Sequence, residues 1–132
     1  MIRSNLKPEE KAEILLWNWF KTQSEEIEEI YFNRKNLLKW KIFTITGVRE
    51  KPDFLIVMKT SLYGKKIYAI EIKSAEKSKD ILKAVKIIDL YAINYLRGKT
   101  KYFIDEQEVT INGFLIATEQ SPRGFLFKNE IY

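Results

Sequence analysis

The chain has 132 residues, of which 45% are hydrophobic and 14% aromatic, enough for one well-filled core and too few for two ordinary domains. It contains neither Cys nor His, which excludes disulfides, thiolate metal sites and both Ser-His-Asp and Cys-His catalysis, and leaves only oxygen ligands suited to hard cations such as magnesium or manganese. Lys and Arg outnumber Asp and Glu by 23 to 18, a net charge of +5 that favours polyanionic partners such as nucleic acid.

Taken in chain order, Pro8 followed by Glu9 and Glu10 predicts a helix start, because proline suits the first turn and carboxylates there offset the N-terminal dipole. Ala12, Leu15, Leu16, Trp19 and Phe20 continue it at helical spacing to about residue 22. Ile27, Ile30 and Tyr31 repeat that spacing more weakly, so residues 25–32 either extend the helix or form a second short one. The segment 40–46, rich in β-branched and aromatic residues and closed by Gly47, predicts a strand. Two apolar runs, 54–58 and 67–72, flank a polar segment containing Gly64 and predict a hairpin. Residues 78–97 lack Gly and Pro, place apolar residues three and four apart, and stop at Gly98, which predicts a long helix. Segments 113–118 and 125–128 read as strands, and 99–111 is ambiguous. The order helix, three strands, helix, strand implies an α/β domain over residues 1–132, with a mixed central sheet flanked by helices.

The hairpin carries the chemistry. With its turn centred near Leu62, Asp53 and Glu71 are equidistant from the turn and face each other across the ladder, about 5 Å apart at Cα. Lys73 lies two residues beyond Glu71 and projects from the same face, while Ile70 and Ile72 point to the other. Two acids and an amine at one place suit phosphodiester hydrolysis: the carboxylates bind a divalent ion, and the lysine offsets developing negative charge. Glu-x-Lys on a strand also describes an ordinary solvated face. Here, however, both acids are set within strongly apolar strands.

Pro52-Asp53, seventeen residues, then Glu71-Ile72-Lys73 resembles the motif of the PD-(D/E)XK nuclease superfamily, and the resemblance extends over residues 8–118. It implies a restriction-endonuclease-like core and a magnesium-dependent DNA endonuclease, with manganese able to substitute. It further implies Asp53, Glu71, Lys73 and Glu13 as catalytic residues, Glu13 being the helix acid with Glu9 and Glu10 as rivals. Metal ligands would be Asp53, Glu71 and the backbone carbonyl of Ile72. The later helix offers Lys77, Lys79, Lys83, Lys86 and Tyr91 as auxiliary residues. The Gln-Leu-x-x-Tyr signature of the exonuclease-like branch is absent, because Ile87 stands where its Gln would be. Size and charge are similar to the Holliday-junction resolvases and to small viral or plasmid nucleases of this superfamily, which also implies a homodimer. An inactive nucleic-acid-binding or assembly domain of the same fold is the alternative.

Arg34, Lys35, Lys39, Lys41, Arg49, Lys51, Lys65 and Lys66 are candidate phosphate contacts, whereas Trp17, Trp19 and Trp40 are assigned to the core. Apolar runs of about five residues and the lack of an N-terminal hydrophobic segment predict a soluble, cytoplasmic protein without membrane contact, in the host cytoplasm if viral.

Overall fold

A computed structural model describes residues 8–22, 26–33, 41–47, 51–59, 65–73, 78–118 and 126–130, without the side chains of 8–10, 78–81 and 126–130. The elements are α1 (Pro8–Thr22), β1 (Ile27–Phe32), β2 (Thr44–Thr46), β3 (Phe54–Met58), β4 (Ile67–Ile72), α2 (Ser78–Leu96), β5 (Lys101–Ile104), β6 (Gln107–Val109), β7 (Gly113–Ala117) and β8 (Leu126–Glu130). They form a mixed α/β fold with a five-stranded sheet, in the order β1-β3-β4-β7-β8, and a three-stranded sheet, β2-β5-β6.

β3 and β4 are almost wholly buried, because the large sheet is covered on both faces. On one face Ile70 and Ile72 of β4 pack with Phe54 and Ile56 against Ala12, Leu16 and Phe20 of α1. On the other, Ile67 and Ala69 pack with Leu55 and Val57 against Ala84, Ile88, Tyr91 and Ala92 of α2. The small sheet joins this second core through Ile45 and Tyr102, with Phe43 just before β2. Tyr102 sits among the rings of Phe43, Tyr95 and Phe114, with centroids 5.8–6.3 Å apart. Such contacts each add roughly 0.5–1.5 kcal/mol to the burial itself.

β1, β3 and β4 are successive antiparallel neighbours, and β4 runs parallel to β7. A parallel pair requires a crossover, supplied here by α2 and the β5–β6 hairpin. Asn112 fixes where that pair begins: Ile67 N–H donates to its Oδ1 at 2.9 Å, and Asn112 N–H donates to Ile67 O at 2.8 Å. α2 ends in a Schellman arrangement. Gly98, at φ 74°, donates its N–H to Tyr95 O, and Lys99 N–H donates to Asn94 O. Gly47, at φ 93°, closes β2 directly against the Lys99 carbonyl, where a Cβ would overlap that backbone.

Three expectations change. Residues 27–32 are strand β1, not helix; the register shift between Ile27 and Glu29 puts Ile27 on the same face as Ile30 and Phe32, which produces a three-residue spacing within a strand. The strand expected over 40–46 is confined to 44–46 and belongs to the small sheet, while Trp40 lies outside the described residues. The ambiguous segment holds the β5–β6 hairpin, turned by Asp105 and Glu106 at φ 51° and 67°. Among the described residues, no helix is long and apolar enough to cross a membrane.

Candidate active site

Phe54 to Val57 pair with Ile70 to Ile67, the register that a turn centred near Leu62 predicts. The ladder stops at Phe54. Just before it, the Asp53 N–H donates to Ile70 O at 2.8 Å, so Asp53 and Phe54 both address Ile70. Continued regularly, the ladder would bring the carbonyl of residue 52 to the Ile72 N–H. The Asp53 carboxylate occupies that role instead, with Oδ2 accepting from Ile72 N–H at 2.7 Å. A charged acceptor this close makes a short, strong bond that fixes the carboxylate's direction. Pro52, fully buried and with φ locked by its ring, holds the backbone that delivers it.

In a strand, the N–H and C=O of one residue point to the same edge. The Ile72 carbonyl therefore faces the edge where Asp53 lies, while its side chain is sealed in the α1-side core.

Glu71 alternates to the α2 side and is only 7% exposed. A buried carboxylate needs polar company. Tyr91, itself buried, donates its hydroxyl to Glu71 Oε1 at 3.4 Å, a long contact. The Glu71 charge also reaches Tyr102, whose hydroxyl is pushed well above the usual phenol value, first by burial and then by Tyr95 and Glu71.

Lys73 follows on the Glu71 side. Its N–H donates to Ala117 O at 3.0 Å, which extends the parallel ladder one residue past β4. Since Ile72 pairs with Ala117, the residue beside Lys73 is Thr118, 2% exposed at the end of β7. Thr118 was not singled out from the sequence. Its only signal there is a hydroxyl at the end of an otherwise apolar strand, and its proximity to Lys73 depends on a long-range register.

Glu13 is also buried, 8% exposed, but on α1 beside Ala12 and Leu16. Its helix covers the opposite face of the sheet from Glu71, which packs against Tyr91 of α2, so the fold does not bring Glu13 and Glu71 to one face. Among the described residues, no group of three acids is arranged to hold a metal ion. Glu9 and Glu10 lie in α1, with side chains outside the described residues, as are those of Lys77 and Lys79. Lys83 and Lys86 are exposed on α2. Of the basic residues near the hairpin, Lys41 pairs with Glu29 at 2.9 Å and Lys65 with Glu28 at 3.0 Å, while Lys66 is exposed and Lys51 half-buried. Arg34, Lys35, Lys39 and Arg49 lie outside the described residues. Trp17 is half-buried under the Lys21 ammonium, 4.1 Å from its ring centre, and Trp19 lies 5.3 Å from Phe20; both pack against the α1-side core.

Asp53, Glu71, Ile72 and Lys73 thus meet at the backbone of the β4 end, with the Asp53 carboxylate held by the Ile72 N–H and the Glu71 carboxylate against the Tyr91 hydroxyl. They can offer oxygen donors to a hard cation and a positive charge to an anion. No protein-family model, curated protein or solved structure matches the chain.

Proposed function

We propose that the chain is a metal-dependent DNA endonuclease with a PD-(D/E)XK site formed by Asp53, Glu71 and Lys73. The observation that carries this reading is the Asp53 Oδ2 bond to the Ile72 N–H, which aims a carboxylate at the strand end that also bears Glu71 and Lys73. The run α1, β1, β3, β4, α2, β7, with β4 and β7 parallel, supports a restriction-endonuclease-like core. In this reading β2, β5, β6 and β8 would be additions to that core.

The donors fit a hard divalent ion: Asp53, Glu71 and the Ile72 carbonyl would hold magnesium, or manganese in its place, through oxygen alone. When bound, the ion supplies Lewis acidity at the phosphate and a water of lowered pKa. Asp53 is oriented in advance by the Ile72 N–H, so little order is lost when it takes up its role. Tyr91 holds the Glu71 carboxylate. The Lys73 ammonium stabilises negative charge developing on the phosphate oxygens. Glu13, the further acid the resemblance implies, is buried on α1 on the other face of the sheet and stands outside this core set. The positive net charge and Lys66 favour the DNA backbone, whereas Lys41 and Lys65 already have acidic partners.

A second reading has its own support. An aspartate that completes a ladder end is also a structural device, compatible with an inactive nucleic-acid-binding or assembly domain of this fold. Cleavage of labelled duplex, single-stranded, flapped and four-way-junction DNA in magnesium, manganese or EDTA separates the two. The nuclease reading expects metal-dependent products that vanish in Lys73→Ala and Glu71→Gln. Saturable DNA binding by folded protein, without products on any substrate, supports the binding module.

A further inference from the structure

The small sheet keeps one face on the core and turns the other to solvent. Ile45, Tyr102, Ile104 and Val109 point inward onto the α2-side core, so strand alternation points Thr44, Thr46, Lys101, Phe103 and Glu108 outward. The cross-strand rows on that outer face are Thr44, Phe103, Glu108 and, beside it, Thr46, Lys101. Phe103 is central, because β5 is the middle strand. Among the described residues it belongs to neither core and meets no other aromatic ring, and it stays partly exposed.

One aromatic on a solvent face is ordinary. Its surroundings, however, are polarised. Arg97, Lys99 and Lys101 fall within five residues where α2 feeds β5; all are exposed, and among the described residues none forms an ion pair. Lys41 and Lys65, by contrast, are neutralised by Glu29 and Glu28. The other end of β5 is acidic, with Asp105 and Glu106 in the turn and Glu108 directly beside Phe103. Lys101 and Phe103 stand two residues, about 7 Å, apart on one face, a span that a nucleotide bridges from phosphate to base. Unpaired cations, an open ring and then a carboxylate match the phosphate, the base face and the base-edge amine in that order.

We propose that the outer face of the β2-β5-β6 sheet binds a single strand of DNA: a base stacks on Phe103, its exocyclic amine donates to the Glu108 carboxylate, and Arg97, Lys99 and Lys101 carry the phosphates. A duplex keeps its base faces inside the stack, out of reach of Phe103, so the occupant is an unpaired strand. Three strands about 4.8 Å apart leave room for two or three nucleotides, which sets the dissociation constant on the order of 10–100 µM. The choice of DNA over RNA rests on the nuclease reading, whereas the surface shares no residue with Asp53, Glu71 and Lys73.

The test uses the whole chain in EDTA, where metal-dependent cleavage is silent, and follows the fluorescence anisotropy of a labelled strand of about eight deoxycytidines. Binding should saturate, and its logarithmic salt dependence should have a slope near −2, about −0.7 for each of three phosphates. Phe103→Leu, which keeps an apolar side chain without a ring, should weaken binding at least about fivefold, and Phe103→Trp should retain it. Lys101→Ala should weaken binding and reduce the slope by about 0.7. A strand of deoxythymidines, which lacks the amine, should bind at least about threefold more weakly, and Glu108→Ala should remove that difference. Far-UV circular dichroism shows that the variants are folded, and a loss of binding in Phe103→Leu is read whether or not the chain cleaves DNA. No saturable binding up to about 1 mM strand, undiminished binding by Phe103→Leu, an equal loss of duplex binding in that variant, or tighter binding of the matching RNA strand would each overturn the proposal.

Discussion

Replacing Asp53 in two ways separates its bond to Ile72 from its charge. Asp53→Ala leaves the partly buried Ile72 N–H without the acceptor that held it at 2.7 Å. An amide stranded in this way costs about 1–3 kcal/mol. Asp53→Asn keeps an oxygen of the same reach and loses only the charge assistance, so its cost should stay below about 1 kcal/mol. For a domain of this size, a kcal/mol moves the melting temperature by roughly 3–5 °C. Urea unfolding followed by tryptophan fluorescence, with far-UV circular dichroism as a second probe, measures both variants against wild type. The expected order is wild type, then Asp53→Asn close behind, then Asp53→Ala clearly lower. An Asp53→Ala midpoint equal to wild type would refute the ladder-end role of this carboxylate. Equal losses in the two variants would show that charge, not the hydrogen bond, is what Asp53 contributes to the fold.

Gly47→Ala should cost at least about 2 kcal/mol, since it forces a Cβ onto the Lys99 carbonyl at a positive φ; a thermal shift within error of wild type would contradict the close packing of β2 on the α2 cap. Glu106→Gly should stabilise by about 1 kcal/mol in the same assay, by relieving a left-handed residue in a two-residue hairpin turn, and a loss of stability would count against that turn. Burial raises the Tyr31 and Tyr102 hydroxyls above the ordinary value of 10.0, so the folded state keeps these protons while the unfolded state releases them. Their contribution to stability is therefore complete below pH 10 and lost as pH rises from there through the folded values. Thermal melts across alkaline pH, with tyrosinate absorbance followed in parallel, should show hidden phenols that ionise with unfolding. Complete tyrosine titration near pH 10 in a folded chain would argue against the aromatic core around Tyr102.

The local signals were the legible ones. α1 begins at Pro8 as its Pro-Glu-Glu start predicts, and β3 and β4 occupy the two apolar runs, because both follow from neighbouring residues. β1 was hidden by its own irregularity: the register shift after Ile27 gives its inward residues a helix-like interval. The β5–β6 hairpin was hidden by its turn, where Asp105 and Glu106 adopt left-handed conformations that Asn-Gly would have advertised. At the site, the expectation that Asp53 and Glu71 face each other came from a hairpin register that holds from Phe54 to Val57 but breaks at Asp53, whose N–H bonds Ile70 O instead of the ladder continuing to Glu71. The change of role at Asp53, from strand residue to acceptor for Ile72, could not be read that way, since it arises where the ladder breaks. Tyr91 is among the auxiliary residues the resemblance offers, but its contact with Glu71, like the place of Thr118 beside Lys73, depends on how α2 and β7 dock on β4, which is tertiary information.

The proposed role of Asp53, held by Ile72, is in metal-dependent cleavage of DNA. The most direct measurement is single-turnover cleavage of the best DNA substrate by wild type and Asp53→Asn at matched folded concentrations, with magnesium and with EDTA. Wild type should give metal-dependent product, and Asp53→Asn, shown to be folded by its unfolding curve, should lose at least about a hundredfold in rate. Cleavage at an unchanged rate by Asp53→Asn, or in EDTA, would contradict it.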